Sequence, residues 1–469
     1  MITDPAALAL NRFGLGARPG DVARISADPR AALAAELRPE VALIAAQDDL
    51  PTTADALVEL RKLQMERKQA RQDKPDASTR AADKGTSDAT TMTTEGATNA
   101  APVPAKVYAA EIGARLDRAT AADIGYVERL VAFWSNHFTV KAGAGEVERT
   151  LVGAFEREAI RPHVLGRFAD MLVAVTQHPA MLVYLNNETS VGPDSPVGQR
   201  RDRGLNENHA RELMELHTIG VDGGYTQADV ITVANVLSGW SFSRGDADKS
   251  PVGSFIFRAN AHEPGPRTVL GKVYDQPGEE QGLALLADLA VYPQTATHIA
   301  TKLARSFVAD DPPPGLVTRL ATTFQTSGGD LLQLSRDLIA SDEAWQGPGR
   351  FRTPQQFLWS AMRALGIQPK PALIAHALGT LGQMPWDPPS PAGYDETTAT
   401  WLAPDAMTSR LDAAEQLAQL ADPTIEPGAL LDDLFGGGAS AQTREAVTRA
   451  ESQHQGLALL LMSPEFQRI

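Results

Sequence analysis

The chain has 469 residues, 43% of them hydrophobic and 22% charged, with a formal net charge of −15 and no cysteine. Its length predicts two or three packed sub-regions or one large domain. The acidic balance excludes a dedicated nucleic-acid binder, which needs a basic surface against phosphates. The lack of cysteine excludes disulfides, thiolate zinc sites and a cysteine nucleophile. No apolar run reaches the roughly 18 residues of a membrane span, and the opening MITDPAALALNRFGLGARPG lacks the pattern of an export signal. As it stands, the chain reads as cytoplasmic.

Asp4-Pro5 and Asp28-Pro29 each set an N-cap acceptor before a proline at the first helical position, which predicts two short helices. Gly14 and Gly16 form a helix stop between them. Residues 54–73 read as a long charged helix with Leu57, Leu60 and Leu63 as its apolar line. The stretch 74–104 has almost no large apolar side chains and cannot offset the entropy of ordering it. It is expected to be a disordered low-complexity insertion within one helical domain spanning 1–469.

Helices are then expected at 105–118, 121–138, 145–158, 163–185, 206–219, 227–239, 279–291 and 294–308. A β-hairpin is expected at 253–274, where Phe255 and Phe257 alternate and Thr268, Leu270 and Val273 resume the pattern after a Gly-Pro turn. Further helices are expected at 315–325, 329–341, 353–365, 371–382, 405–420 and 441–462. The fold class is therefore mainly α, a large multi-helix array with one small β-hairpin insertion.

The chemistry concentrates in NENHARELMELHTIGVDGGYTQADV, residues 206–230. Asn206 is placed to cap a helix, Gly220 to stop it, and Thr226 with Asp229 to form a capping box for the next one. On the first helix Asn208, Glu212 and Glu215 fall at i, i+4 and i+7, so an amide and two carboxylates share a face beside Ala210, Leu213, Met214 and His217. A carboxylate held against apolar surface has a raised pKa and suits general acid–base work. Glu212 and Glu215 are the catalytic candidates, with Asn206, Asn208 and Arg211 orienting a polar substrate. The same spacing equally fits a surface ion-pair ladder, since Arg211 lies four residues from both Glu207 and Glu215.

His137 shares a helical face with Val127, Leu130 and Trp134, which fits either a buried core histidine or a catalytic partner. His217 carries the same two readings. His262 sits in the turn NAHEPGPR beside Glu263 and Arg267 and is expected to be exposed. In a common-site arrangement, Asn187 and His137 approach Glu212, the His262 hairpin covers the opening, and the polar loop 188–205 forms a mobile rim.

No HExxH or paired ExxH spacing calls for a metal; a bound one would draw on His137, Glu212, His217 and His262. No GxSxG, P-loop or GxGxxG motif is present, and no cofactor can be named. Three functions follow: a hydrolase acting on a polar, polymeric or carbohydrate-like substrate, a non-catalytic binding or assembly protein with a structural polar network, and a His/Glu metalloprotein.

FWSNHFTV at 133–140, HPAMLVYLNN at 178–187, the 206–230 segment, LSGWSF at 237–242, HEPGPRTVLG at 262–271, LGQMPWDPPSPAGY at 381–394 and SPEFQ at 463–467 together resemble the bacterial family catalogued as domain of unknown function 1800. The resemblance implies a helical fold and no particular activity. Members of that family are often exported and encoded beside a sulfatase-like family, so the resemblance also implies a functional partner from that neighbouring family and a context of envelope or extracellular polymer metabolism. Its motifs contain His137, Asn206, Asn208, Arg211, Glu212, Glu215, Gly223, Gly224 and His262.

Overall fold

Capping side chains set where the helices begin. In the computed structural model, which describes residues 4–44, 50–72, 103–200, 204–245, 249–347 and 349–469, Asp4 accepts the amides of Ala6 and Ala7 and Asp28 that of Ala31. Pro5 and Pro29 open the two helices, as their missing N–H allows. Thr226–Asp229 and Thr353–Gln356 are reciprocal capping boxes, each satisfying two amides that a helix start leaves open. The expected insertion lies outside the described residues except for Val103 and Pro104, which open the helix Val103–Ala121.

The fold is mainly helical, with Val103–Ala121 packed on Glu146–Phe155 and Pro293–Phe307 on Pro314–Thr326. One continuous cluster of buried apolar side chains runs from Ala6 to Phe466. The chain end closes back on the body: the Ile469 amide donates to the Arg350 carbonyl at 3.0 Å and the Arg352 amide to that of Gln467 at 2.9 Å. Among the described residues no helix is long and apolar enough to cross a membrane.

Two expected helices are interrupted. The 163–185 span divides into Phe168–Gln177 and Pro179–Tyr184, because the pre-proline residue His178 is extended and its Nδ1 accepts the Ala180 amide as a cap. The 441–462 span divides into Ala441–Thr448 and Gln453–Leu461, where Ser452 caps the second piece.

The β structure also differs from a single hairpin. Among the described residues it consists of two antiparallel pairs, Trp240–Phe242 with Phe255–Phe257 and Arg267–Val269 with Lys272–Tyr274. Phe255–Phe257 pairs backward onto the buried Trp240 and Phe242, whose rings offer it apolar cover; Trp240 and Phe255 lie 5.1 Å apart. The second pair closes at Leu270 and Gly271, both at positive φ, as a two-residue hairpin turn requires.

Among the described residues three helices change to π geometry, at Ala9–Phe13, Glu156–Ile160 and Leu213–His217. The second of these turns sets Glu156 into a fully buried ion cluster. Arg161 pairs with Glu156 at 3.0 Å and with Glu128 at 2.9 Å, while Arg115 approaches Glu156 at 3.4 Å. Ser135 and the Trp386 indole also donate to Glu156, at 2.8 and 2.9 Å. Burial alone raises the Glu156 pKa, but Arg115 and Arg161 outweigh it and hold the carboxyl ionised. This cluster fixes one side of the helix Tyr126–His137 and the loop that carries Trp386.

Candidate functional site

The π turn Leu213–His217 ends the helix that begins at Asn208, and its last carbonyls need partners. Two imidazoles supply them. His137 Nε2 donates to the His217 carbonyl and His298 Nε2 to the Leu216 carbonyl, each at 3.1 Å. A carbonyl only accepts, so both Nε2 atoms carry the proton and, in the neutral rings, both Nδ1 atoms carry a lone pair. Gly220, at φ +86°, allows the approach, since a Cβ there would lie 2.9 Å from His298 Nδ1. Among the described residues His137 Nδ1 is buried without a partner.

Burial, reinforced by the Lys302 charge, lowers the pKa of His137 well below the usual imidazole value, and burial with the His209 and Lys302 charges does the same for His217. Burial likewise brings His298 to about 4. Beside His137, a cavity of about 220 Å³ is lined by Asn136, His137, Lys302, Arg305, Tyr394 and Glu396, among others. Lys302 follows His298 by one turn on the helix Pro293–Phe307. Among the described residues its amine has neither a hydrogen-bond nor an ion-pair partner. Burial, partly countered by the Glu396 charge, pulls its pKa from 10.5 down to about 8. The half-buried Glu396 carboxylate is likewise unpaired among the described residues.

The opposite wall is the loop 383–397. Asn136 Nδ2 donates to the Tyr394 carbonyl at 2.9 Å and Asn136 Oδ1 accepts the Tyr394 amide at 2.7 Å, so one side-chain amide fixes the loop to the end of the helix Tyr126–His137. Gly393, at φ +86°, permits this; a Cβ there would lie 2.4 Å from the Asn136 carbonyl oxygen. Trp386 is held at φ +48°, an unusual value for a bulky residue, by its bond to Glu156 and by the Ala142 amide on its carbonyl. Asn136, Tyr394 and Glu396 also line a second, smaller chamber of about 50 Å³, walled further by Arg115, Arg129 and Gln383.

The candidate residues fall into three groups. His137 and His217 lie together, their rings 6.2 Å apart and both buried, and of the two His137 lines the cavity. Asn187, Asn206 and His262 belong to a hydrogen-bonded frame around residues 187–190 and 237–240. There Asn187 Nδ2 donates to the Leu237 and Trp240 carbonyls, the Asn206 amide to Ser190 Oγ, and His262 Nδ1 to the Ser238 carbonyl. His262 is half-buried against Phe257, 5.0 Å away, and not the exposed turn residue expected, because its backbone segment carries the loop 190–200: the Gly192 and Val197 amides donate to the Ala261 and Asn260 carbonyls. That loop's Ser190 and Ser195 are buried.

The corner's own surface forms the third group. Arg211 pairs with Glu207 at 3.0 Å, and both bond Gln227. Asn206 Oδ1 accepts the Asn208 amide at 3.0 Å, and Asn208 is exposed. The α-to-π change ends the regular face that joined Asn208, Glu212 and Glu215. Burial and then Glu215 raise the Glu212 pKa; Glu215 in turn raises the nearby Tyr225 hydroxyl, after burial. Among the described residues no three His, Asp or Glu side chains are grouped to hold a metal ion.

Lys302, His298 and Glu396 escaped sequence reasoning. The available signals were the i, i+4 pair His298 and Lys302 in TATHIATKLARSF, polar among Ile299, Leu303 and Phe307, and the acidic pair that directly follows the motif ending at Tyr394. No curated protein and no solved structure matches the chain. Residues 8–468 match the family DUF1800, described as protein of unknown function, and the chain therefore belongs to that family.

Proposed function

We propose that the chain is an enzyme whose active site is the cavity lined by His137, Lys302 and Glu396, and that it is a hydrolase working by acid–base catalysis on a polar substrate. The observation that carries this is Lys302: an unpaired, half-buried amine lining the same cavity as an unpaired carboxylate, Glu396. A charge kept out of water without a partner costs stability, and such sites concentrate where chemistry is done. With a pKa of about 8 the amine both takes and gives a proton near neutral pH. The loop 383–397 and the helix end at Asn136 hold the opposite wall rigid, so that substrate meets Lys302 and Glu396 in a fixed geometry.

A screen of chromogenic esters, amides, glycosides and phosphoesters tests the reading. Lys302→Met and Glu396→Gln are each expected to lower the hydrolysis found by about 10²–10⁴-fold, the usual contribution of a positioned acid or base. Hydrolysis indifferent to both substitutions overturns the assignment. Glu212→Gln in the same screen separates the cavity from the corner, because Glu212 keeps the raised pKa of an acid–base group. Loss in that variant alone moves the active site to Glu212 and Glu215.

A second reading, a non-catalytic polar network, has a specific observation in its favour at the corner. Arg211, Glu207 and Gln227 satisfy one another and cap the approach of two helices. Under it, none of the Lys302, Glu396 and Glu212 variants changes any activity, and Arg211→Ala weakens partner binding.

A further inference from the structure

We propose that Lys302 is an imine-forming amine and that the cavity takes a small carbonyl compound bearing a carboxylate. This rests on the cavity as the active site and adds to it a chemical step and a class of ligand. Imine formation needs a free amine, a nearby acid–base group and a pocket that admits a carbonyl carbon to the amine. The cavity brings these together: Lys302 and Glu396 both line it, and among the described residues neither has a side-chain partner. Glu396 is close enough for its charge to act on Lys302, yet no ion pair joins them, and both line the same cavity.

Magnitude favours Lys302 over an ordinary surface lysine. A pKa of about 8 leaves roughly one amine in ten unprotonated at pH 7, against about one in 3,000 for an ordinary lysine. The cavity volume of about 220 Å³ equals the liquid share of roughly seven waters, which suits a compound of a few heavy atoms. Arg305 lines the same cavity one turn further along the helix, together with Asp310 and Asp395; it is exposed, and its guanidinium is the group there that would take a carboxylate.

The step balances without any further reactant. The Lys302 nitrogen lone pair attacks the carbonyl carbon and the C=O π pair moves to oxygen, while the extra proton on nitrogen passes by way of Glu396 to that oxygen and gives a neutral carbinolamine. Glu396, reprotonated from water, then protonates the hydroxyl, which leaves as water while nitrogen's lone pair forms the C=N bond. The iminium nitrogen returns its proton to Glu396, so one amine and one carbonyl become one imine and one water.

The full chain incubated with glyoxylate and sodium cyanoborohydride at pH 7.5 reports the step directly, since hydride reduction of the imine leaves a stable secondary amine that peptide mass mapping locates. Lys302 is expected to be labelled at least ten-fold faster than the average of the other lysines. Arg305→Ala is expected to remove the advantage of glyoxylate over uncharged acetaldehyde while Lys302 stays the preferred amine. Label spread over surface lysines according to their exposure overturns the proposal. If that spread is found while Lys302→Met still abolishes hydrolysis, the acid–base site stands and imine formation alone fails. Selective labelling with hydrolysis intact in Lys302→Met has the opposite meaning: the hydrolase reading fails and the imine site stands.

Discussion

The helix Tyr126–His137 has charge on two sides, handled in opposite ways. On one side Glu128 and Ser135 join the cluster in which Glu156, Arg161 and Arg115 pair with one another. On the other, Phe133, Asn136 and His137 face a cavity where Lys302 and Glu396 stay apart. Paired buried charges hold parts together, and breaking one pair strands the other member. Unpaired charges hold nothing together and are retained at a cost, so the cavity is the side on which to look for chemistry.

The largest effect should come from the paired side. Glu156→Ala leaves Arg161 and Arg115 without their shared carboxylate and is expected to cost about 3–5 kcal/mol in urea unfolding. A loss below about 1 kcal/mol would show that the cluster is relaxed by solvent and would remove the contrast.

Acid sharpens the comparison next. His209 and His298 have folded pKa values near 4, lowered by burial, and His137 and His217 lie well below the usual value. The unfolded chain then binds protons that the folded one refuses. Stability is fully present above pH 6.5 and falls as the pH drops toward about 4, by up to about 1.4 kcal/mol per pH unit for each such group. His298→Gln keeps a donor for the Leu216 carbonyl and should make the slope between pH 4.5 and 6 shallower by about one group's worth. An unchanged slope would place His298 in water.

Lys302→Met should stabilise where Glu156→Ala destabilises. The amine's folded pKa of about 8 lies below its ordinary 10.5, so its penalty is full below pH 8 and disappears as the pH rises through 10.5. The variant is expected to gain on the order of 1 kcal/mol at pH 7 and much less at pH 10.5. A destabilised variant at pH 7 would mean that Lys302 is paired in solution. The smallest effect belongs to the exposed corner, where Arg211→Ala should change stability by no more than about 1 kcal/mol, fading with added salt.

Much of this was legible from the chain because it is decided locally. The Asp-Pro helix starts, the Thr226–Asp229 box and the Gly220 stop each depend on a few neighbouring residues, and all are present. The stripe of Val127, Leu130, Trp134 and His137 follows from helical period alone, and all four are buried. Ending near His137 was therefore predictable, and the motif residues of the corner do reach it through the His217 carbonyl.

Tertiary structure decided the rest. Period and caps do not say which strand accepts Phe255–Phe257; the buried Trp240 and Phe242 do. They do not reveal that the helix after Glu212 widens into a π turn, which removes Glu215 from the regular face that spacing assigned to it. Above all, they cannot show that Lys302 and Glu396, far apart in the chain, line one cavity without pairing. A residue's type is written in the sequence, but whether a charge is paired depends on which distant groups packing brings to it, and in this protein that distinction separates scaffold from candidate site.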